Sequence, residues 1–122
     1  SYGGKVDEKL NVLRAYKFAL CYENGRDIDG YITEKIFDCL FAGTIPVYWG
    51  ANNITRYIPE ECFIDRTHFE NDEELYSYLK NMSNEEIIER QGSIERFLKS
   101  EQVYPFTNEF FVKVVSENII NE

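Results

Sequence analysis

Short apolar runs alternate with helical spacings along the chain. The apolar run Phe18–Tyr22 has the length of a buried strand, and the run 44–49 has the same character. Four apolar residues between these runs share one face of a helix: Ile36, Phe37, Leu40 and Phe41. A strand, a loop, a helix and a second strand within about 30 residues form a βαβ unit, whose strands run parallel.

Residues at both ends of this helix indicate where it begins and ends. Thr33 can cap its beginning, and Gly43 can supply the left-handed turn that ends it. A polar loop with two glycines, residues 23–30, precedes the helix. The loop therefore joins the end of the first strand to the beginning of the helix.

The remaining pattern is mainly helical. A short third strand is predicted at Cys62–Ile64, and Ser83 with Glu86 forms a capping box for a helix that runs towards Lys99. The other apolar repeats are as follows: Val6, Leu10, Val12 and Leu13 within Lys5–Ala15; Leu75, Tyr78, Leu79 and Met82; Ile87, Ile94 and Leu98; and Phe110, Phe111, Val114, Val115 and Ile119 after Thr107. The order α-β-α-β-β-α-α-α predicts an α/β fold, a Rossmann-like three-layer domain with a parallel sheet and C-terminal helices over about 83–121.

Length and charge narrow the function classes. The 122 residues fit one domain, residues 1–122, and the net charge of −9 argues against a broad basic surface for nucleic acid or anionic lipid. Any phosphate site must therefore be local. No apolar run approaches the roughly 20 residues that a membrane span requires. Cys21, Cys39 and Cys62 form no CxxC pair, and their odd number leaves at least one outside any internal disulfide, so a reducing compartment is the simpler interpretation.

The loop before the helix is the place where chemistry is expected. Ligands of open parallel sheets bind outside the carboxyl ends of the strands, and a helix N-terminus favours phosphate. Lys35 opposes the helix dipole unless an anion is bound, although it can simply extend into solvent. Glu34 is either a surface acid that suits the dipole or an acceptor for two sugar hydroxyls.

Other polar residues of the loop support several interpretations. Asn24 and Tyr31 can donate hydrogen bonds to phosphate, but they are also common turn and packing residues. Asp27 and Asp29 resemble a carboxylate pair that holds a divalent cation, yet a solvated loop is favoured and no metal site is predicted. His68 is the only histidine, so we expect it to cap or fill the turn before Phe69 rather than to join a metal cluster.

Three longer segments together resemble one known family. They are Tyr16-Lys-Phe-Ala-Leu-Cys-Tyr-Glu-Asn24, Gly30-Tyr-Ile-Thr-Glu-Lys-Ile36 and Ala42-Gly-Thr-Ile-Pro-Val-Tyr-Trp-Gly50. Their order along the chain and their amino-acid sequences are similar to those of the alpha-1,3-fucosyltransferase family. The likeness continues through Tyr57-Ile-Pro59 and Cys62-Phe-Ile-Asp65 to Phe69 and covers about half of the chain.

The resemblance implies an inverting GT-B glycosyltransferase of two Rossmann-like halves, of which this chain is the C-terminal, donor-binding half. By position, Asn24, Tyr31 and Lys35 would contact the diphosphate of GDP-fucose, and Glu34 would bind hydroxyls of its sugar portion. Transfer to an acceptor glycan, with an alpha-1,3 linkage, would need a base and an acceptor site from the N-terminal half, which the chain lacks. A further basic residue of the family also lies upstream of Ser1.

No cofactor and no metal are expected, the acidic charge argues against a nucleic-acid partner, and the resemblance implies GDP-fucose as the donor substrate. The low cysteine count and acidic composition favour a bacterial cytoplasmic enzyme, with the Golgi lumen as the alternative for a eukaryotic member. A second hypothesis is a non-catalytic Rossmann-like module that binds a nucleotide or a protein partner. The fragment alone is expected to be inactive.

Overall fold

A computed structural model describes residues 17–106 and, before them, Glu8 alone. This part of the chain contains β1 Phe18–Tyr22, α1 Lys35–Phe41, β2 Ile45–Trp49, β3 Ile64–Asp65, α2 Asp72–Asn81 and α3 Asn84–Leu98. Short 3₁₀ segments lie at Ile54–Arg56, Glu60–Cys62, Arg66–His68 and Glu101–Phe106. Apart from Glu8, the predicted helix Lys5–Ala15 lies outside the described residues, as does the helix predicted after Thr107. No helix among the described residues is long and apolar enough to cross a membrane.

The three strands form one parallel sheet in the order β1-β2-β3. Phe18 pairs with Ile45 at the beginning of β1, and Val47 pairs with Ile64 in β3. Because the strands are parallel, their carboxyl ends meet at one edge of the sheet, which we call the carboxyl edge. The α/β class, the βαβ unit and the parallel sheet are therefore as predicted.

Helix α1 packs its apolar stripe on β1 and β2. Ile36, Phe37 and Leu40 are buried, as the spacing predicts, but Phe41 is 67% exposed, which corrects its assignment to the same face. Phe41 is the last residue of α1 and lies at the margin of the stripe, where the sheet no longer covers it. Gly43 has a φ of 81° and ends the helix with the predicted left-handed turn.

The first turn of α1 differs slightly from its prediction. The helix begins at Lys35, and Glu34 precedes it with helical backbone angles and no side-chain cap. The hydroxyl of Thr33 accepts a hydrogen bond from the Lys35 N–H at 3.3 Å. Thr33 thus still serves a free N–H of the helix, but from one position further out than a regular cap.

The third strand lies later than the sequence predicts. Cys62 belongs to a 3₁₀ turn in which its N–H donates to the Pro59 carbonyl, so it cannot extend the ladder. Only Ile64 and Asp65 pair with β2. Cys62, Phe63 and Ile64 are all buried, so the sequence shows an apolar run like that of a strand even where the chain forms a turn.

Asp65, rather than His68, caps the turn that follows β3. Its carboxylate accepts hydrogen bonds from the N–H of Thr67 at 2.9 Å and from its hydroxyl at 2.6 Å. The His68 side chain is 74% exposed, and its Nε2 lies 3.6 Å from the Asp65 carboxylate. His68 therefore neither caps nor fills the turn before Phe69, which corrects that prediction.

Helices α2 and α3 cover the rest of the core. In α2, Leu75 and Leu79 are buried as expected, whereas Tyr78 is partly exposed and Met82 lies just beyond the helix. In α3, Ile94 and Phe97 are buried, and Ile87 and Leu98 pack against the core less completely.

Only the Ser83 half of the predicted capping box of α3 is formed. The Ser83 hydroxyl accepts from the Glu86 N–H at 3.1 Å. The Glu86 carboxylate does not complete the capping box, because it accepts from the Tyr78 hydroxyl at 2.9 Å and from Arg90 Nε at 3.1 Å.

Arg90 ties α3 to the chain around β3. Its Nη1 donates to the carbonyl of Phe63 at 3.0 Å and to that of Glu61 at 3.4 Å. The same guanidinium holds the Glu86 carboxylate through Nε. One side chain on α3 thus satisfies two carbonyls of the segment that leads into β3.

Candidate functional site

A buried carboxylate organises the carboxyl edge of the sheet. Glu23 directly follows β1 and is only 1% exposed. It accepts hydrogen bonds from the Thr33 N–H and from the Thr33 hydroxyl, both at 2.7 Å, and from the Tyr48 hydroxyl at 3.4 Å. The end of β1, a residue two positions before α1 and a residue of β2 are therefore joined at one point.

The partners of Glu23 are themselves ordered by backbone donors. The Thr33 hydroxyl accepts from the Lys35 N–H and donates to Glu23. The Tyr48 hydroxyl accepts from the Ala51 N–H at 3.1 Å and donates to Glu23. Each hydroxyl thus passes a hydrogen bond on to the Glu23 carboxylate, which only accepts. Burial raises the pKa of the Tyr48 hydroxyl, so this group stays protonated and can donate.

Gly50 allows this network to close. A Cβ at this position would overlap the Tyr48 hydroxyl and Cγ of Glu23. The Gly50 carbonyl accepts from the Asp27 N–H at 3.1 Å, and the Glu23 N–H donates to the Trp49 carbonyl at 2.8 Å. The loop after β1 is thus fastened to the end of β2 by backbone bonds, while the Tyr48 and Glu23 side chains fill the space that a side chain at position 50 would need.

The residues predicted to bind a ligand are brought to the ends of this network. Asn24 is exposed and follows Glu23, while Glu34 is exposed and Lys35 partly buried just after Thr33. The ring of Tyr31 lies close to Gly25, because a Cβ there would come within 3.3 Å of Cε1 of Tyr31. The loop folds back on itself, so both of its ends meet at the carboxyl edge.

Of the two aspartates of the loop, Asp27 has a conformational role. Both are exposed, and Asp27 has a φ of 60°, the left-handed conformation that aspartate tolerates better than most residues. Gly30 has a φ of 76°, and its N–H donates to the side-chain carbonyl of Asn53 at 2.8 Å. The described residues hold no group of three or more His, Cys, Asp or Glu side chains that could bind a metal ion.

Two arginines gather on an aromatic residue at the same edge. The guanidinium carbon of Arg26 lies 4.2 Å from the centroid of the Trp49 ring and 5.5 Å from that of Tyr22, and that of Arg66 lies 4.9 Å from the Trp49 ring. Tyr22 and Trp49 meet edge to face, with centroids 5.6 Å apart. Cation–π contacts of this kind orient a guanidinium without neutralising its charge.

Arg66 is buried, unlike the exposed Arg26. It donates to the carbonyl of Phe69 at 2.9 Å and to the carboxylate of Asp72 at 3.1 Å, while its Nε has no partner. Burial and the neighbouring Asp72 raise the pKa of the Tyr22 hydroxyl beside this cluster. With Lys35, the two arginines place three cationic groups at the carboxyl edge of an acidic chain.

Sequence reasoning singled out Asn24, Tyr31, Glu34 and Lys35 as candidates, but not Glu23, Arg26 or Arg66. The only signal for Glu23 was a carboxylate placed directly after a buried strand. Nothing in the spacing indicated that Arg26 and Arg66 would share Trp49, since they are far apart in the sequence.

The site defines an α/β domain in which cationic side chains lie among carboxylates at the carboxyl ends of the strands. A comparison with family models matches residues 3–91 to the C-terminal part of glycosyltransferase family 10, the fucosyltransferases. The chain belongs to this family.

Individual relatives agree with that membership. The chain is 40% identical over 78 residues to an alpha-(1,3)-fucosyltransferase, FucT, of Helicobacter pylori, which covers 64% of this chain and 16% of that protein. It is 34% identical over 97 residues to the human GDP-fucose protein O-fucosyltransferase 3, covering 79% of this chain and 20% of that protein. The chain thus spans about a fifth or less of the length of these relatives.

Solved structures extend the likeness to the fold. An alpha1,3-fucosyltransferase crystallised with GDP-fucose is 26% identical, with a TM-score of 0.57 over 88% of this chain and 34% of that one. A second crystal structure of an alpha1,3-fucosyltransferase is 34% identical, with a TM-score of 0.55 over 69% of this chain and 25% of that one. These matches confirm the predicted fold class, a parallel α/β domain like the C-terminal half of a GT-B fucosyltransferase.

Proposed function

We propose that this chain is the donor-binding half of a fucosyltransferase and binds GDP-fucose at the carboxyl edge of the sheet. The observation that carries the proposal is the Glu23–Thr33 junction, which holds the two ends of the loop together beside the first turn of α1. The solved relative with GDP-fucose supports this choice of donor. Single-domain behaviour of residues 1–122 is part of the same proposal.

Each predicted residue has a role that its chemistry suits. Asn24 and Tyr31 donate hydrogen bonds to the diphosphate, and Glu34 accepts from hydroxyls of the sugar portion. Lys35 supplies a full positive charge to the diphosphate. Because α1 has only seven residues, we assign anion binding to this ammonium group rather than to the helix dipole.

The proposed reaction is a single displacement with inversion. A carboxylate base outside this chain removes the proton from an acceptor hydroxyl, whose oxygen attacks the anomeric carbon of fucose. The bond from that carbon to the diphosphate breaks, and GDP leaves with the electron pair. Lys35 stabilises the negative charge that develops on the leaving diphosphate. Relatives described as alpha-1,3-fucosyltransferases support an alpha-1,3 linkage to an acceptor glycan as part of this proposal.

The proposal includes donor binding without a divalent cation. Cationic side chains at the carboxyl edge can neutralise the diphosphate, whereas Asp27 and Asp29 lie in an exposed loop. We place the full-length enzyme in a bacterial cytoplasm, because the composition is acidic and the cysteines are free; relatives occur in bacteria and in eukaryotes.

Calorimetric titration of the chain with GDP, GDP-fucose and ADP, with and without EDTA, tests ligand class and metal dependence together. We expect saturable binding of both guanine nucleotides, weaker binding of ADP and no effect of EDTA. Binding that EDTA abolishes would return Asp27 and Asp29 to a metal-binding role. A folded chain that binds no GDP would contradict the proposal.

Lys35→Ala should weaken GDP binding by about 1–3 kcal/mol, or about 5–150-fold, because a charged hydrogen bond is lost. Lys80→Ala is the matched control, since Lys80 is an exposed lysine on α2. Circular dichroism must show that both variants remain folded. Equal GDP affinity in the two variants would contradict the role of Lys35.

A further inference from the structure

The loop after β1 crosses the end of β2 as a short segment, residues 24–26, that is fastened on both sides. The N–H of Glu23 donates to the Trp49 carbonyl at 2.8 Å. The N–H of Asp27 donates to the Gly50 carbonyl at 3.1 Å. Because the two acceptors are consecutive residues, the segment between the donors lies against the end of β2. Its last residue is an exposed arginine.

This arginine, Arg26, lies over the indole ring of Trp49. Its guanidinium carbon is 4.2 Å from the centroid of that ring and 5.5 Å from the centroid of the Tyr22 ring. The two rings meet edge to face, with centroids 5.6 Å apart. A guanidinium held on aromatic faces keeps its charge and its N–H donors but loses part of its freedom to move. The side chain is therefore oriented before a ligand binds.

No carboxylate in the described part of the chain forms an ion pair with Arg26. Asp27 and Asp29 follow it in the same loop and are exposed, yet neither pairs with it. The chain has 22 acidic residues against 13 basic ones, so carboxylates are in excess. A guanidinium that pairs with none of them is available to an external anion.

Arg66 contacts the same ring but is not available in this way. Its guanidinium carbon lies 4.9 Å from the Trp49 centroid, and its side chain is only 10% exposed. It donates to the Phe69 carbonyl at 2.9 Å and to the Asp72 carboxylate at 3.1 Å, so its charge is matched within the chain. Even its Nε, which has no partner, is buried. Arg66 therefore supports Trp49 from the interior, whereas Arg26 presents its guanidinium to solvent.

Phosphate is the anion that the Arg26 arrangement suits. A planar guanidinium places two N–H donors in parallel, which matches two oxygens of one phosphate group. Asn24, whose amide we assign to the diphosphate, lies two residues before Arg26, so their Cα atoms are at most about 7 Å apart. The two side chains can therefore serve one anion.

We propose that Arg26 is a further anion-binding residue of the carboxyl edge, which donates two hydrogen bonds to phosphate oxygens of the donor nucleotide, and that Trp49 is the positioning residue that holds it. The proposal rests on the proposed function, since it takes the diphosphate of GDP-fucose as the anion. It adds a planar, bidentate donor to the point charge of Lys35. Because a bound phosphate draws the guanidinium towards itself, the contact between Arg26 and Trp49 changes when the anion binds.

The first test measures affinity by calorimetric titration with GDP and with pyrophosphate. Arg26→Gln should weaken the binding of both at least about fivefold, because charged hydrogen bonds are lost. Arg56→Gln is the matched control, since Arg56 is an exposed arginine at the end of a 3₁₀ segment. Arg26→Lys keeps the charge without the fork and should recover only part of the affinity. Equal affinities in Arg26→Gln and Arg56→Gln, both folded by circular dichroism, would overturn the role of Arg26.

The second test asks whether Trp49 acts through Arg26. Trp49→Leu should weaken GDP binding in the wild-type background but have little effect in the Arg26→Gln background, because the contact is already lost there. Trp49→Phe keeps an aromatic face and should retain more affinity than Trp49→Leu. Equal losses in both backgrounds would overturn the positioning role.

A third measurement needs no variant. Trp49 is the only tryptophan of the chain, so the intrinsic emission of the wild type reports on its contact with Arg26. This emission should change saturably as pyrophosphate is added, at the midpoint that calorimetry gives. An emission that stays constant would overturn the proposal even if the Trp49 variants fail to fold.

The outcomes separate this proposal from the proposed function. A wild type that binds GDP, loses affinity on Lys35→Ala and keeps it on Arg26→Gln would leave the donor site standing and overturn the role of Arg26. A wild type that binds pyrophosphate through Arg26 but does not bind GDP would contradict the proposed function and leave Arg26 as an anion-binding residue. A folded wild type that binds neither would overturn both.

Discussion

Replacing Glu23 with glutamine tests whether one buried carboxylate holds the carboxyl edge together. The substitution keeps the size of the side chain but replaces one acceptor oxygen with a donor group. Three donors converge on this carboxylate, two of them at 2.7 Å. In Glu23→Gln at least one of them, on Thr33 or Tyr48, must meet an amide NH₂ instead of an acceptor.

The expected loss follows from those contacts. Hydrogen bonds to charged groups contribute about 1.5–3 kcal/mol each, against about 1 kcal/mol for neutral pairs, and an unsatisfied buried donor costs about 1–3 kcal/mol. With two short bonds weakened and one donor mismatched, we expect the free energy of unfolding to fall by about 2–4 kcal/mol. That is less than the stability of most small domains, about 5–15 kcal/mol, so the variant should still fold.

Urea denaturation measures the change in stability, and hydrogen exchange locates it. The exchange of the Thr33 and Lys35 N–H groups should accelerate, because both donate into the network. Glu89→Gln is the control, since Glu89 is an exposed glutamate on α3. A Glu23→Gln variant within about 0.5 kcal/mol of wild type, with unchanged exchange at Thr33, would refute this account of the network.

Three further substitutions test parts of the fold. Gly50→Ala should cost about 1–3 kcal/mol in a urea titration, because its Cβ displaces the Tyr48 hydroxyl and Glu23; a neutral result would mean that the edge relaxes freely. Tyr48→Phe removes a group whose pKa burial raises above its ordinary value of 10, and such a group stabilises the fold below about pH 10 and loses that contribution as the pH rises further. Wild type should therefore lose stability above pH 10 more steeply than Tyr48→Phe, and parallel curves would contradict this. Ser83→Ala should lower the urea midpoint by the equivalent of about 0.5–2 kcal/mol, whereas an unchanged midpoint would show that the Glu86 N–H finds another acceptor.

Local signals in the sequence predicted the βαβ unit well. Buried strands and a helix with one apolar stripe depend on short-range spacing, and Gly43 marks a turn that few other residues adopt. The third strand was placed too early because burial alone does not distinguish a strand from a buried turn, and Cys62 lies in such a turn. Phe41 had the right spacing, but a pattern cannot indicate where the covering sheet ends.

The sequence pointed only to candidate residues that are at least partly exposed. Asn24, Glu34 and Lys35 were identified because residue type and position after a strand suggest ligand contact. Glu23 could not be assigned a buried role, because its partners come from 10 and 25 residues away and converge only in the folded chain. Contacts among distant residues, rather than local pattern, decide which polar groups are structural.

Arg90 has a consequence for how molecules of this protein meet one another. A sheet whose outermost strand leaves its carbonyls free can accept a strand from a neighbouring molecule, which is a common first step in aggregation. Here the guanidinium of Arg90 already occupies the carbonyls of Glu61 and Phe63, next to the two-residue strand β3. A strand from a neighbouring molecule would therefore have to displace Arg90 before it could use these two carbonyls, so the helix that completes the core also guards the chain that leads into β3.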